Sequence, residues 1–99
     1  MSRYMIIEAR SRDALPQVYR DLIIKARWIA GVNWDSNKCY ALPIFLYANR
    51  IVIRVPTNCI EWFRAAMVSV DYAITVRVTG TAKKAKAQAL SIPSIFNVA

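Results

Sequence analysis

The side chains able to do acid–base or nucleophilic chemistry are few in this chain, and they are scattered. Its 99 residues include no histidine, which is the commonest general acid–base and a major metal ligand. A paired-carboxylate site would require two of the six acidic residues to converge in one cleft. Those six are Glu8, Asp13, Asp21, Asp35, Glu61 and Asp71. We therefore predict a protein that is not an enzyme.

The two cysteines, Cys39 and Cys59, do not form a CxxC motif, and no histidine is present to complete a zinc site with them. No histidine is available to activate Cys59 as a nucleophile either. We expect two reduced, buried thiols, with a disulfide between them as the alternative. The sequence predicts neither a metal nor a cofactor.

The charge of the chain points to binding. Fourteen Lys and Arg face six Asp and Glu, which gives a net charge of +8. A surplus this large on a small body attracts polyanions. The expected partner is a nucleic acid, or an acidic protein or nucleoprotein surface.

Hydrophobic periodicity predicts the element order strand–helix–strand–strand–helix–strand. The predicted strands are 3–10, 39–47, 50–55 and 73–79. The first predicted helix follows a cap at Ser11 or Asp13, has Pro16 in its first turn and stops at Gly31, and the second spans 59–70.

This α+β order is that of the split βαβ, or ferredoxin-like, fold: a four-stranded antiparallel sheet with both helices on one face. Because a proline cannot donate to ladders on both sides, Pro43 puts the second strand at an edge. We expect the order fourth, first, third, second, with Asn49 in a left-handed turn position.

The chain divides into a single domain, 1–80, and a basic and apolar C-terminal tail, 81–99. The stretch TAKKAKAQAL is either a short helix or a flexible arm. Its three lysines, Lys83, Lys84 and Lys86, are expected to form a basic arm that settles on phosphates.

One face of the predicted sheet has no helix over it, and it carries aromatic and arginine side chains together. They are Tyr4, Tyr47, Arg50, Arg54 and Arg77. Aromatic rings stack on unpaired bases and guanidinium groups bind phosphates, so this face suits single-stranded RNA or DNA. RNA-recognition modules use the same layout, but residues 50–54 lack their glycine–aromatic signature. The alternative is that a second copy or the C-terminal tail covers this face.

The hydrophobic content of 57% exceeds the usual fraction of about 45–50%. We expect the surplus to form a homodimer or partner interface around Trp28 and Ile24 or at residues 92–98. The residues predicted for a protein interface are Trp28, Trp62, Ile95 and Phe96.

Two other functions fit the same features. One is a phage-type inhibitor, such as an anti-CRISPR or other anti-defence protein, that docks on a host protein or nucleoprotein complex. The other is a dimeric structural or ligand-sensing module. No signal peptide or membrane-spanning run is visible, so we expect no membrane partner and a cytoplasmic location, in the host cytoplasm if a phage encodes the chain.

Overall fold

A computed structural model describes residues 1–96 of the chain. Its elements are β1 (Ser2–Ala9), α1 (Leu15–Ala30), β2 (Leu42–Tyr47), β3 (Arg50–Pro56), α2 (Ile60–Val68), β4 (Ala73–Thr79) and α3 (Ala82–Ser91). Within residues 1–96, no helix is both long and apolar enough to cross a membrane. Residues 97–99 of the predicted tail lie outside the described residues.

The four strands form one antiparallel sheet in the order β2-β3-β1-β4. The predicted α+β class is therefore confirmed. Strands β1 and β3 lie in the centre, and β2, which contains Pro43, lies at an edge as expected from its missing backbone donor. A bulge between Pro43 and Phe45 interrupts the pairing of β2 with β3.

Helices α1 and α2 pack on one face of the sheet and enclose the larger hydrophobic core. Alternation along β1 and β3 directs Met5, Ile7 and Ile53 into this core, where they contact Leu22 of α1 and Phe63 of α2. All five side chains are fully buried. This packing positions the two helices with their outer surfaces facing solvent.

The prediction that the opposite face has no helix over it is wrong, because helix α3 packs there. Ala85 and Ala89 lie one helical turn apart and are buried against Ile6 and Val52 of the central strands. Small alanine side chains let the helix backbone approach the sheet closely. The C-terminal tail, one of the two predicted alternatives for covering this face, therefore covers it through α3.

Two local expectations are wrong. Ala48, and not Asn49, has the positive φ of the β2–β3 turn, at 50°. Asn49 instead donates its side-chain amide to the backbone oxygen of Ala9 at 2.6 Å, which ties the turn to the end of β1. Strand β2 begins at Leu42 and not at Cys39, because Cys39 lies in the preceding connection.

The expectation of two reduced thiols is also wrong. Cys39 and Cys59 form a disulfide that joins the connection before β2 to the segment before α2. Both residues are buried. The two cysteines are 20 residues apart in the sequence, and the cross-link closes the loop between them. Disulfides are rare in cytosolic proteins, and the cytoplasmic location stays a prediction.

Candidate functional site

Arg50, predicted to contact nucleic acid, is buried within the protein. It is 4% exposed, and its Nε lies 2.8 Å from a carboxylate oxygen of Glu8, which is itself fully buried. The two residues are directly opposite each other on β1 and β3. The remaining guanidinium nitrogens donate to the backbone oxygens of Ala89 and Pro93 at 2.9 and 2.8 Å. Arg50 therefore fastens α3 and the segment after it to the sheet and is not available to a phosphate.

The second carboxylate oxygen of Glu8 completes this anchor. It accepts hydrogen bonds from the backbone N–H groups of Ile95 and Phe96 at 2.8 and 2.7 Å and from the Ser94 hydroxyl at 3.1 Å. Burial by itself raises the pKa of Glu8, but the hydrogen bonds from Phe96, Arg50, Ser94 and Ile95 together outweigh it and hold the pKa below its ordinary value. Glu8 is thus an ionised structural group.

The two predicted stacking residues do not lie together. Tyr4 pairs with Arg54 and Tyr47 pairs with Arg50, so they lie at opposite ends of β3, about 13 Å apart along the strand. Tyr4 is half-buried against the cluster under α3, whereas Tyr47 is exposed. Because α3 lies over the middle of the sheet, these rings do not form a continuous stacking surface.

The predicted cations other than Arg50 do share one side of the molecule. Arg54 is opposite Tyr4 and Arg77 is opposite Ile6, and directly opposed residues project to the same face. Tyr4 and Ile6 both pack toward α3, so Arg54 and Arg77 project to that side as well. The α3 face is defined here by Arg54 and Arg77 and by the exposed lysines of α3, which are Lys83, Lys84 and Lys86.

The carboxylates, in contrast, lie mainly on the side of the sheet that α1 and α2 cover. Glu8 is buried and paired, and the other five lie in α1, α2 or the segments that flank these helices. Seven cations lie in the same elements: Arg10, Arg12, Arg20, Lys25, Arg27, Lys38 and Arg64. Arg3 of β1 is opposite Val55, which packs in the core under α1 and α2, so it projects to that side as well. Within residues 1–96, the α3 face therefore has five cations and no exposed carboxylate, whereas five carboxylates offset most of the cations on the side with α1 and α2.

Among the residues described, Arg54 differs from the other cations of the α3 face in having a buried, unpaired donor. Its side chain is only partly exposed, and its Nε is buried with no hydrogen-bond partner among residues 1–96. A buried donor without an acceptor costs free energy in the folded state.

The predicted protein-interface residues are separated. Trp28 is 84% exposed, whereas Trp62 is half-buried against the core. Phe96 is half-buried beneath the guanidinium of Arg10, 5.2 Å from the ring centre, and Ile95 is exposed. The tail aromatic thus makes an intramolecular contact, and Trp28 is the tryptophan that faces solvent.

Trp28 lies beside a groove between α1 and α2 that sequence reasoning found only in part. The apolar groove is lined by Ile24, Trp28 and Ile29 of α1 and by Ala65 and Val68 of α2, and it encloses about 540 Å³. Val68 is 87% exposed, yet it was not predicted because it follows directly after core residues of a short helix. The off-stripe position of Ile24 and Trp28 was the only signal in the sequence.

Two groups that were not predicted as site residues, Tyr72 and Glu8, have shifted pKa values, and both are already hydrogen-bonded within the protein. Burial raises the pKa of Tyr72 to about 12, helped by its hydrogen bond to Asp21. Glu8 is held in its anchor as described. Within the described part of the chain, no three His, Cys, Asp or Glu side chains gather into a set able to hold a metal ion.

Compared with known protein families and with curated proteins, the chain matches no family model and no curated sequence.

Proposed function

We propose that this chain is a small, non-enzymatic binding protein that holds nucleic acid electrostatically on the α3 face. The observation that carries the proposal is the separation of charge across the sheet. Screening limits exposed charges to a range of about 8 Å in physiological salt. Carboxylates on the side with α1 and α2 therefore do little to neutralise the cations of the α3 face.

The binding mechanism rests on phosphate neutralisation. Each phosphate contacted by a lysine or arginine releases condensed counterions, and this release favours binding without reading sequence. Because α3 covers the centre of the sheet, base stacking is confined to side chains at its margins, such as Tyr47. We expect weak sequence specificity and only a small preference for single strands over duplexes.

Two features support a role in binding and not in catalysis. The chain has no histidine, and both groups with a shifted pKa, Glu8 and Tyr72, are committed to internal hydrogen bonds. We also propose that the fold is ferredoxin-like, with α3 as an addition. The element order, the antiparallel pairing and the central position of β1 and β3 support this assignment.

The proposal is tested by fluorescence anisotropy with a labelled single strand and a labelled duplex, each titrated with the full chain at low and at physiological salt. We expect affinities that differ little between the two ligands and fall steeply as salt rises. If neither ligand binds in about 50 mM salt, where electrostatic binding is strong, the proposal fails.

The second candidate function is docking on a host protein or nucleoprotein complex, as a phage-type inhibitor does. The observation that favours it is the exposed apolar groove, which the nucleic-acid proposal does not use. Under this candidate, the chain binds no generic nucleic acid at low salt.

A further inference from the structure

The apolar groove is a surface that the protein itself leaves uncovered. Ile24 and Trp28 lie one turn apart on α1, 62% and 84% exposed, and they face Val68 across the groove. The polar groups on its rim are already paired, since the Lys25 ammonium donates to the backbone oxygen of Ser69 at 2.9 Å. A partner can therefore cover the apolar side chains without leaving these groups unsatisfied.

We propose that a second copy of this chain occupies the groove, and that the resulting dimer bridges two segments of nucleic acid. The bridging rests on the proposed function; the dimer does not. In the dimer, a two-fold axis passes through the α1–α2 surface, and each Trp28 packs against Val68 of the other copy.

The charge distribution favours a second copy as the occupant. A chain of net charge +8 repels another copy wherever its unbalanced cations come together. On the side with α1 and α2 five carboxylates offset most of the cations, whereas the cations of the α3 face have no exposed carboxylate beside them among residues 1–96. This side is therefore where two copies can meet with the least repulsion.

The size of the surface is sufficient for an interface. A standard interface buries about 800 Å² on each partner, and an aromatic side chain contributes about 150–250 Å² of this. Helix α1 has 16 residues and is therefore about 24 Å long. Two such helices, each paired with an α2, span enough length for an interface around the groove, which Trp28 borders in the last turn of α1.

The dimer has a direct consequence for binding. Helices α1 and α2 lie on one face of the sheet and α3 lies on the other. Pairing through α1 and α2 turns the two α3 faces outward in opposite directions. One straight duplex cannot contact both, so the dimer holds two separate segments.

The test combines sedimentation with a bridging assay. The full chain is sedimented up to about 100 μM, which exceeds the micromolar dissociation constants of the weakest standard interfaces. A bead-bound duplex is then used to capture a second, labelled duplex through the protein. The variants are Trp28→Ser on α1 and Val68→Lys on α2, and Leu46→Ser is the control at an exposed apolar residue outside the groove.

We expect the wild type and L46S to dimerise and to capture the second duplex. W28S and V68K should each weaken dimerisation by at least about 30-fold, which corresponds to the 2 kcal/mol threshold of an interface hot spot. Both should retain anisotropy binding to a single labelled duplex while losing capture of the second.

A wild-type chain that stays monomeric at about 100 μM overturns the dimer and favours a foreign protein as the occupant. Equal dimerisation of W28S, V68K and L46S overturns the groove as the interface. If the wild type dimerises through the groove but binds no duplex, the dimer is supported, whereas the bridging and the proposed function are overturned.

Discussion

Glu8 and Arg50 connect the C-terminal segment to the centre of the sheet. Four hydrogen bonds converge on the carboxylate, from Arg50, Ser94, Ile95 and Phe96. Arg50 binds two backbone oxygens of the C-terminal part in addition. A pair buried so completely is costly to break, because the partner that remains is an uncompensated charge.

Glu8→Gln should lower the free energy of unfolding by about 3–5 kcal/mol at about pH 7. The folded-state pKa of Glu8 is below its ordinary value, so its contribution is complete above the unfolded pKa and disappears as pH falls through the folded one. The difference between wild type and E8Q should therefore shrink at about pH 3, measured by urea denaturation.

Asp13→Asn, at an exposed carboxylate, is the matched control and should change stability by less than about 0.5 kcal/mol. A difference between wild type and E8Q that stays constant from neutral to acidic pH would show that the Glu8 charge does not anchor the tail.

The disulfide provides a second test at the residue scale. Cross-linking a loop of about 20 residues contributes about 3 kcal/mol, mainly by restricting the unfolded chain. A reductant should lower the wild-type unfolding free energy by about this amount, to the level of the Cys39→Ala and Cys59→Ala double variant. The reductant should have no effect on the double variant. An unchanged wild-type denaturation curve would mean that the bond contributes nothing.

At the scale of elements, the strands and the first two helices could be predicted because their patterns are local. In β3, alternation separates Ile51 and Ile53 from Arg50 and Val52, and the structure keeps these two sets on opposite faces. Pro43 located an edge strand because a missing backbone donor has the same effect in any fold.

Helix α3 and the disulfide were harder to predict for physical reasons. The buried side of α3 consists of alanines, whose hydrophobic signal is weak beside three lysines, so a helix and a flexible arm looked alike. Two cysteines 20 residues apart do not by themselves indicate whether they form a disulfide, because a disulfide framework is recognised from several cysteines at characteristic spacings. Alternation placed Arg50 on the correct face, but only the covering helix decides that this residue is buried.

The docking of α3 is tested by placing a charge beneath it. Ala85 is fully buried against the sheet, whereas Ala87 is exposed on the same helix. Ala85→Asp should lower the unfolding free energy by about 3 kcal/mol or more, since it buries an unpaired carboxylate. Ala87→Asp, the control with the same helix propensity change, should cost less than about 1 kcal/mol. Equal effects of the two variants in urea denaturation would contradict the packing of α3.

At the scale of the whole molecule, the sheet separates two surfaces of different character. One side has the cations of the α3 face, and the other has the apolar groove and cations that carboxylates largely offset. Net charge alone does not reveal this separation, because it requires knowing which residues share a side. Specific binding of polyanions by the α3 face is therefore the property that most needs a test.

The most direct measurement is the salt dependence of nucleic-acid affinity in two matched triple variants. Four to six neutralised phosphates give the wild type a log–log slope of about −3 to −5. Replacing Lys83, Lys84 and Lys86 with Ala should flatten the slope by about two to three units and weaken all sequences alike. Replacing the exposed Arg20, Arg27 and Arg64 of α1 and α2 with Ala removes the same charge from the other side and should change the slope by less than about one unit. Equal losses in the two triple variants, or a wild type without salt-sensitive binding, would contradict the account.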